Sequence, residues 1–307
     1  MVDIENYAKK KCLQNLEVRM SKKVAIVADT NCGITLDEAK KLGIYLITMP
    51  FSVDGKEYFE YKTMNHEQFF EALRNGAEVS TSMPSPADLM ELWDKLLEEY
   101  DEVVHIPMSS GLSGSCHAAM GFAANYDGKV VVVDNKRVSV IMKQSILEAK
   151  HMADEGKSAI EIKKFLEDDA LNASIYVAVD TLEYLKKSGR VTPAAAAIGS
   201  VLSIKPVLQI QGGKLDAYKK VRGMNQAAKA MFDGIKSDME TRFAGKDIVI
   251  RAAYSGSDEV KNLWSEAVKE AFPDRDIEVD FLPISICCHT GEGAMGIGIM
   301  EKNFANI

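Results

Sequence analysis

The chain has 307 residues, 37 basic against 45 acidic, and a formal net charge of -8. That length suits one large or two medium domains with ample core. Basic residues gather only in short runs such as Lys9–Lys11, which argues against a nucleic-acid partner. No apolar run approaches the roughly 20 residues that span a bilayer. The opening M-V-D-I-E-N-Y-A-K-K-K-C has no apolar core of a secretory signal, so a cytoplasmic location is expected. The five cysteines, Cys12, Cys32, Cys116, Cys287 and Cys288, form no C-x-x-C pair and suit a reducing compartment. Cys287 and Cys288 beside His289 invite a metal reading, but no second ligand pair is visible, so no metal is expected.

Residues 1–22 read as a polar, helical extension. Lys23–Ala28 is a buried strand closing on Asp29 and Thr30. Thr35 and Glu38 form a capping box for a helix through Leu42. Ile44–Met49 is a second strand, and Phe51–Tyr58 a hairpin turning at Asp54-Gly55. Asn65 caps a helix that stops at Gly76. Val79 leads into S-T-S-M-P-S-P, where Pro86 is placed to open the next helix. Val103, Val104 and Ile106 form a strand that ends at Pro107, followed by a Ser/Gly turn and a helix through Phe122. Lys129–Asp134 is another strand and Val138–Met152 another helix.

Strands alternating with helices predict a three-layer, parallel-sheet α/β domain over residues 23–171. Residues 172–307 predict a second, two-layer α/β domain with a mixed sheet. Its elements are a strand at Ser174–Asp180, a short helix closed by Ser188-Gly189, and a small-residue helix opened by Thr192-Pro193. A hairpin of Pro206–Gln211 with Lys214–Val221 follows, then a helix over about 224–242. Strands at Asp247–Ala253 and Ile277–Pro283 flank a helix starting near Ser257.

Five stretches carry candidate chemistry. S-T-S at 80–82 and S-S-G-L-S-G-S at 109–115 both follow strands. In a parallel sheet both would lie at the carboxyl edge, where ligands bind. Their hydroxyls and N–H groups suit an oxyanion, and ordinary turn chemistry is the alternative. No lysine follows in the turn, so the phosphate-loop pattern is unmet. In H-T-G-E-G-A-M-G at 289–296, the glycines match a dinucleotide fingerprint literally. Too little chain follows Gly296 for the rest of a βαβ unit. His289, expected just beyond a strand, is either a ligand donor or a structural histidine. In K-K-S-G-R-V-T at 186–192, Arg190 leaves a tight turn, free to meet a carboxylate or the solvent. Lys219, Lys220 and Arg222 make a basic cluster suited either to an acidic partner or to a solvated face.

These motifs, in this order, resemble the DegV family of bacterial fatty-acid-binding proteins. The likeness runs from V-A-I-V-A-D-T at 24–30 through T-S-M-P-S-P at 81–86, S-S-G-L-S-G-S at 109–115 and L-K-K-S-G-R-V at 185–191. It continues through I-G-S-V-L-S-I-K-P-V-L at 198–208, K-V-R-G at 220–223 and H-T-G-E-G-A-M-G at 289–296. The resemblance implies two α/β domains with a long-chain fatty acid, such as palmitate, stearate or oleate, buried between them. It implies that Thr81 and Ser113 hydrogen-bond the carboxylate, with Ser82, the Gly114 backbone and His289 completing the cradle and Arg190 beside it. It implies a carrier without catalysis or cofactor of its own, monomeric or weakly dimeric. Such a carrier presents the acid to the ATP-binding subunit of a fatty acid kinase, which docks at Arg222.

The chain also departs from the family pattern. Glu292 stands where a proline is usual, residues 1–22 have no counterpart, and the segment after Asp134 lacks the family's glycines, with Lys143 and Ser145 in their places. Two other readings compete. A serine hydrolase using Ser113 and His289 lacks a G-x-S-x-G elbow and an evident acid. A nucleotide- or phosphate-binding module is suggested by the glycine turn alone.

Overall fold

The computed structural model describes residues 22–197 and 204–305. Nearly all of the expected N-terminal extension lies outside the described residues, as does the stretch from Ile198 to Ser203.

The first sheet is built on β1 (Val24–Asp29), every residue of which is buried. β2 (Tyr45–Ile47) and β6 (Glu102–Ile106) flank it, and β7 (Val130–Val132) lies beyond β6. The order is β2-β1-β6-β7, and all pairings are parallel. Alternation along β1 makes three layers, because successive side chains point to opposite faces. Val24, Ile26 and Ala28 join α1 (Leu36–Leu42), α5 (Ser139–Asp154) and α6 (Ala159–Asp168) on one side. Ala25 and Val27 join α3 (Pro86–Leu97) and α4 (Ser115–Ala123) on the other.

The second sheet is mixed, in the order β10-β9-β8-β13-β11-β12. Its strands are β8 (Ala173–Ala178), β9 (Ile204–Ile210), β10 (Asp216–Arg222), β11 (Ile248–Tyr254), β12 (Val279–Phe281) and β13 (Met295–Glu301). Only β11 and β12 pair in parallel. One face packs on α9 (Met224–Glu240) and α10 (Asp258–Ala271) through Tyr176, Met231, Ile250 and Trp264.

The other face is not solvated. It shares a core with a small antiparallel sheet, β4-β3-β5, made of β3 (Pro50–Val53), β4 (Lys56–Phe59) and β5 (Val79–Thr81), and with α2 (His66–Arg74). Phe51, Phe69 and Phe70 from the first half thus meet Val177, Leu208 and Ala253 of the mixed sheet. Three short helices complete this core: α7 (Glu183–Ser188), α8 (Pro193–Ala196) and α11 (Ile284–Thr290).

Three differences from the sequence reading have local causes. Thr81 lies on β5, which pairs with β3 rather than with the parallel sheet, so the S-T-S stretch is not at that sheet's carboxyl edge. The Asp54-Gly55 turn sends the hairpin back, and β5 then adds to its other side. α6 and β13 were not expected; β13 is broken up by glycines, which weaken a strand signal. His289 does not follow a strand directly but sits on α11, a helix of β-branched residues and cysteines.

α5 stitches the two large sheets together. Lys143 pairs with Glu38 of α1 at 3.0 Å and with Asp280 of β12 at 3.2 Å. Gln144 Oε1 accepts from Arg251 Nε and Nη2 of β11 at 3.1 and 2.9 Å. Buried Arg137 donates to Ser145 Oγ at 2.6 Å and to Asp169 Oδ2 at 2.7 Å. Glu292 pairs with Arg74 at 2.7 Å. Lys143 and Glu292, two of the expected departures, therefore clasp separate elements, while Ser145 holds the buried Arg137 guanidinium at the start of its own helix. Among the described residues, no helix is long and apolar enough to cross a membrane.

Gly298 shows how close α5 comes to the mixed sheet. A Cβ there would lie 2.5 Å from Ile141 Cγ1 and 3.2 Å from the Ser174 carbonyl oxygen. Gly298→Ala is expected to destabilise the protein by about 1–3 kcal/mol through overpacking. In urea denaturation, adding Ile141→Ala should cost less than the sum of the single changes; strict additivity would contradict this contact.

Candidate functional site

The site is built where the small sheet meets α11. β5 ends at Thr81, and α11 brings His289 to it: Thr81 Oγ1 and His289 Nε2 lie 2.9 Å apart. His289 Nδ1 is buried and has no partner among the described residues. Burial, with the nearby positive charge of Arg190, pushes the His289 pKa down to about 4. The imidazole is therefore neutral at physiological pH, one nitrogen donating and the other accepting.

α11 is held in place by residues far away in the chain. Pro283 precedes it and gives no side-chain cap. The Ile284 N–H donates instead to the Glu60 carboxylate, which is fully buried. Ser285 Oγ donates to Asn31 Oδ1 at 2.6 Å. Burial raises the Glu60 pKa to about 7, against the pull of these hydrogen bonds. His66 Nε2 lies 3.1 Å from the Leu282 carbonyl oxygen, just before the helix.

Arg190 arrives from the other side. α7 ends at Gly189, whose φ of +70° makes the left-handed turn that glycine favours. The Arg190 guanidinium then folds back and donates to the Ser188 carbonyl. Arg190 and His289 together line an apolar cavity of about 90 Å³, walled by residues such as Ile175, Val177, Leu185, Ile210 and Leu282. The same two residues line an outer cleft of about 260 Å³ with Thr81, Tyr184 and Lys187. They therefore stand between the cleft and the apolar interior.

The remaining expected residues are placed differently. Ser113 keeps its hydrogen bonds within its own loop, with its Oγ 3.0 Å from Ser115 Oγ and accepting the Ser115 N–H at 3.2 Å. Ser82 is exposed, and its N–H donates to the Pro50 carbonyl at 3.4 Å. Gly114 is exposed at the start of α4, where a Cβ would lie 3.6 Å from Met83 Sδ. The loops carrying Ser82 and Ser113 are thus neighbours, and Leu112 of the second reaches the cavity wall. Arg222 is exposed at the end of β10.

This geometry gives the competing readings little. His289 Nε2 faces Thr81 rather than Ser113, and its Nδ1 has no orienting acid among the described residues, as a hydrolytic triad would need. The Ser110 N–H in the serine turn is already taken by Asp134 Oδ1 at 3.1 Å, and the neighbouring cation, Lys136, is itself paired with Asp134 and donates to Ser110 Oγ at 2.6 Å, so these groups are already engaged with one another. Cys287 Sγ donates to the Leu282 carbonyl at 3.3 Å. Burial pushes both vicinal thiols up. No group of three or more His, Cys, Asp or Glu suited to a metal occurs among the described residues. Sequence reasoning missed Glu60, because a single glutamate after a short strand carries no signal.

The match of the DegV family model to residues 23–302 places this chain in the DegV family. A DegV domain-containing protein of Deinococcus radiodurans is 29% identical over 278 residues, 90% of this chain and 98% of the relative. A solved DegV family protein from Thermus thermophilus, described by its fatty acid binding, superposes with a TM-score of 0.82 at 29% identity. The match covers 91% of this chain and all of that one. A fatty acid binding DegV family protein from Streptococcus agalactiae gives a TM-score of 0.80 at 27% identity, over 92% of this chain and 100% of its own.

The buried, neutral histidine makes a testable electrostatic statement. In an NMR pH titration, His289 should titrate near pH 4, and Arg190→Gln should move the midpoint upward while leaving it below 6.5, since burial is the larger cause. A folded-state pKa below the unfolded value means protons bind the unfolded chain more readily between those values. This group's contribution to stability is therefore present above about pH 6.5 and is lost as pH falls toward 4. A wild-type midpoint at or above 6.5 would contradict the assigned environment.

Proposed function

We propose that this chain binds one long-chain fatty acid, with its tail in the apolar cavity and its carboxylate at the polar edge formed by Thr81, His289 and Arg190. The observation that carries this reading is the neutral His289, hydrogen-bonded to Thr81 and set beside Arg190 where the outer cleft meets the apolar interior. The fatty acid binding ascribed to the Thermus and Streptococcus proteins supports it. Ser113, Ser82 and the Gly114 backbone complete the cradle in this reading, with the serine turn closing over the head group.

The energetics favour such a ligand. Each buried methylene contributes about 0.8 kcal/mol, so a sixteen-carbon tail supplies roughly 10 kcal/mol before the costs of ordering. The carboxylate must shed water, which is costly unless donors replace it. Hydroxyls, an imidazole N–H and one guanidinium can do so.

The chain acts as a carrier in this reading, in the cytoplasm and without a cofactor, and the acid it holds is phosphorylated by a separate ATP-binding kinase subunit. With no phosphate loop of its own, the carrier leaves the nucleotide to that partner. Arg222, exposed on β10 amid Lys219 and Lys220, is the docking residue.

The decisive experiment is mass spectrometry of the organic extract of the purified, detergent-free protein. A stoichiometric fatty acid is expected, at lower occupancy in Thr81→Ala and His289→Ala. An empty protein that also takes up no added palmitate or oleate would overturn the reading. Arg222→Glu should keep its fatty acid but lose kinase-dependent acyl phosphate formation; unchanged formation would remove Arg222 from the docking surface.

A further inference from the structure

One more polar side chain on the cavity wall is unsatisfied. Ser139 is 7% exposed and lines the apolar cavity. Its Oγ has no hydrogen-bond partner among the described residues. The other serine on that wall, Ser285, is different, because its hydroxyl is already committed to Asn31. Buried hydroxyls are nearly always hydrogen-bonded, and each exception calls for a reason.

The backbone at Ser139 is unusual as well. Its φ is +54°, in the left-handed region that non-glycine residues seldom occupy. Such conformations cost free energy and are enriched at functional sites. Ser139 also opens α5, a helix of 16 residues, and Val138 before it provides no side-chain cap. The positive end of the helix dipole therefore lies beside the unpaired hydroxyl. Both features favour an oxygen acceptor at this point of an otherwise apolar wall.

We propose that Ser139 Oγ donates a hydrogen bond to an oxygen of the bound acyl ligand and so helps to select it. This rests on the fatty-acid reading above. Two ligand oxygens have the required chemistry: the carboxylate itself, or a hydroxyl borne part-way along the chain. Among the described residues, the cavity wall carries one other buried side-chain atom without a hydrogen-bond partner, His289 Nδ1.

The test compares stearate with 10-hydroxystearate, displacing a fluorescent fatty acid from the wild type, Ser139→Ala and Ser139→Gly. Glycine adopts a positive φ without strain, so Ser139→Gly is expected to melt higher than the wild type while binding more weakly. The expected loss is about tenfold or more for at least one acid, as suits a hydrogen bond to a ligand oxygen. Equal loss for both acids assigns Ser139 to the carboxylate. Loss confined to 10-hydroxystearate assigns it to an oxygen on the chain. Folded variants that bind both acids as tightly as the wild type overturn the inference and leave fatty acid binding intact. A wild type that binds neither acid overturns the fatty-acid reading, and this inference with it.

Discussion

The site depends on one carboxylate. Glu60 receives the first N–H of α11 across 224 residues of sequence and so fixes a helix that has no cap of its own. Everything at the polar edge follows from that helix. It sets His289 against Thr81 and directs Ser285, Ile286 and Thr290 to the cavity wall. It also places Cys287 and Cys288 in the shared core. A short helix in isolation would not hold. Here its N-terminus is tied to the first half of the chain and its flank is packed against β3, β5 and α7.

Further ties join the two halves of the chain, some of them at the positions expected to depart from the family pattern. Lys143 bridges α1 and β12, Arg251 reaches Gln144, and Arg74 holds Glu292 beside the site. Large residues on α5 require space on the facing strand, and Gly298 provides it below Ile141.

What could be read from the sequence was what local chemistry determines. The Thr35 and Asn65 caps, the Asp54-Gly55 turn and the Gly189 helix stop each use residues within a few positions, and all appear. The parallel sheet was legible because its strands are buried runs of β-branched residues. β5 was not, because three residues of Val-Ser-Thr become a strand only when β3 lies beside them. α11 was not, because its composition favours a strand and its cap is remote. Motifs drew attention to Thr81, Arg190 and His289, which the fold brings to one cavity edge. They gave no hint of which atom bonds which, nor of Ser139, whose interest comes from a backbone angle and a missing partner.

The charge state of the polar edge suits a carboxylate better than two charged cations would. Arg190 is a permanent cation, and next to it a protonated His289 would add a second charge in a poorly solvated place. Burial and Arg190 together keep the imidazole neutral. A carboxylate entering this edge then pairs with one cation while taking further hydrogen bonds from neutral groups. The pair carries no net charge, which limits the desolvation penalty that buried ions otherwise incur. A neutral alcohol or amide would leave Arg190 unbalanced, and a doubly charged phosphate would exceed it. In the proposed reading the edge is thus matched to a single negative charge at the head of an apolar tail, and that match would separate a fatty acid from the other ligands that a serine- and glycine-rich turn could suggest.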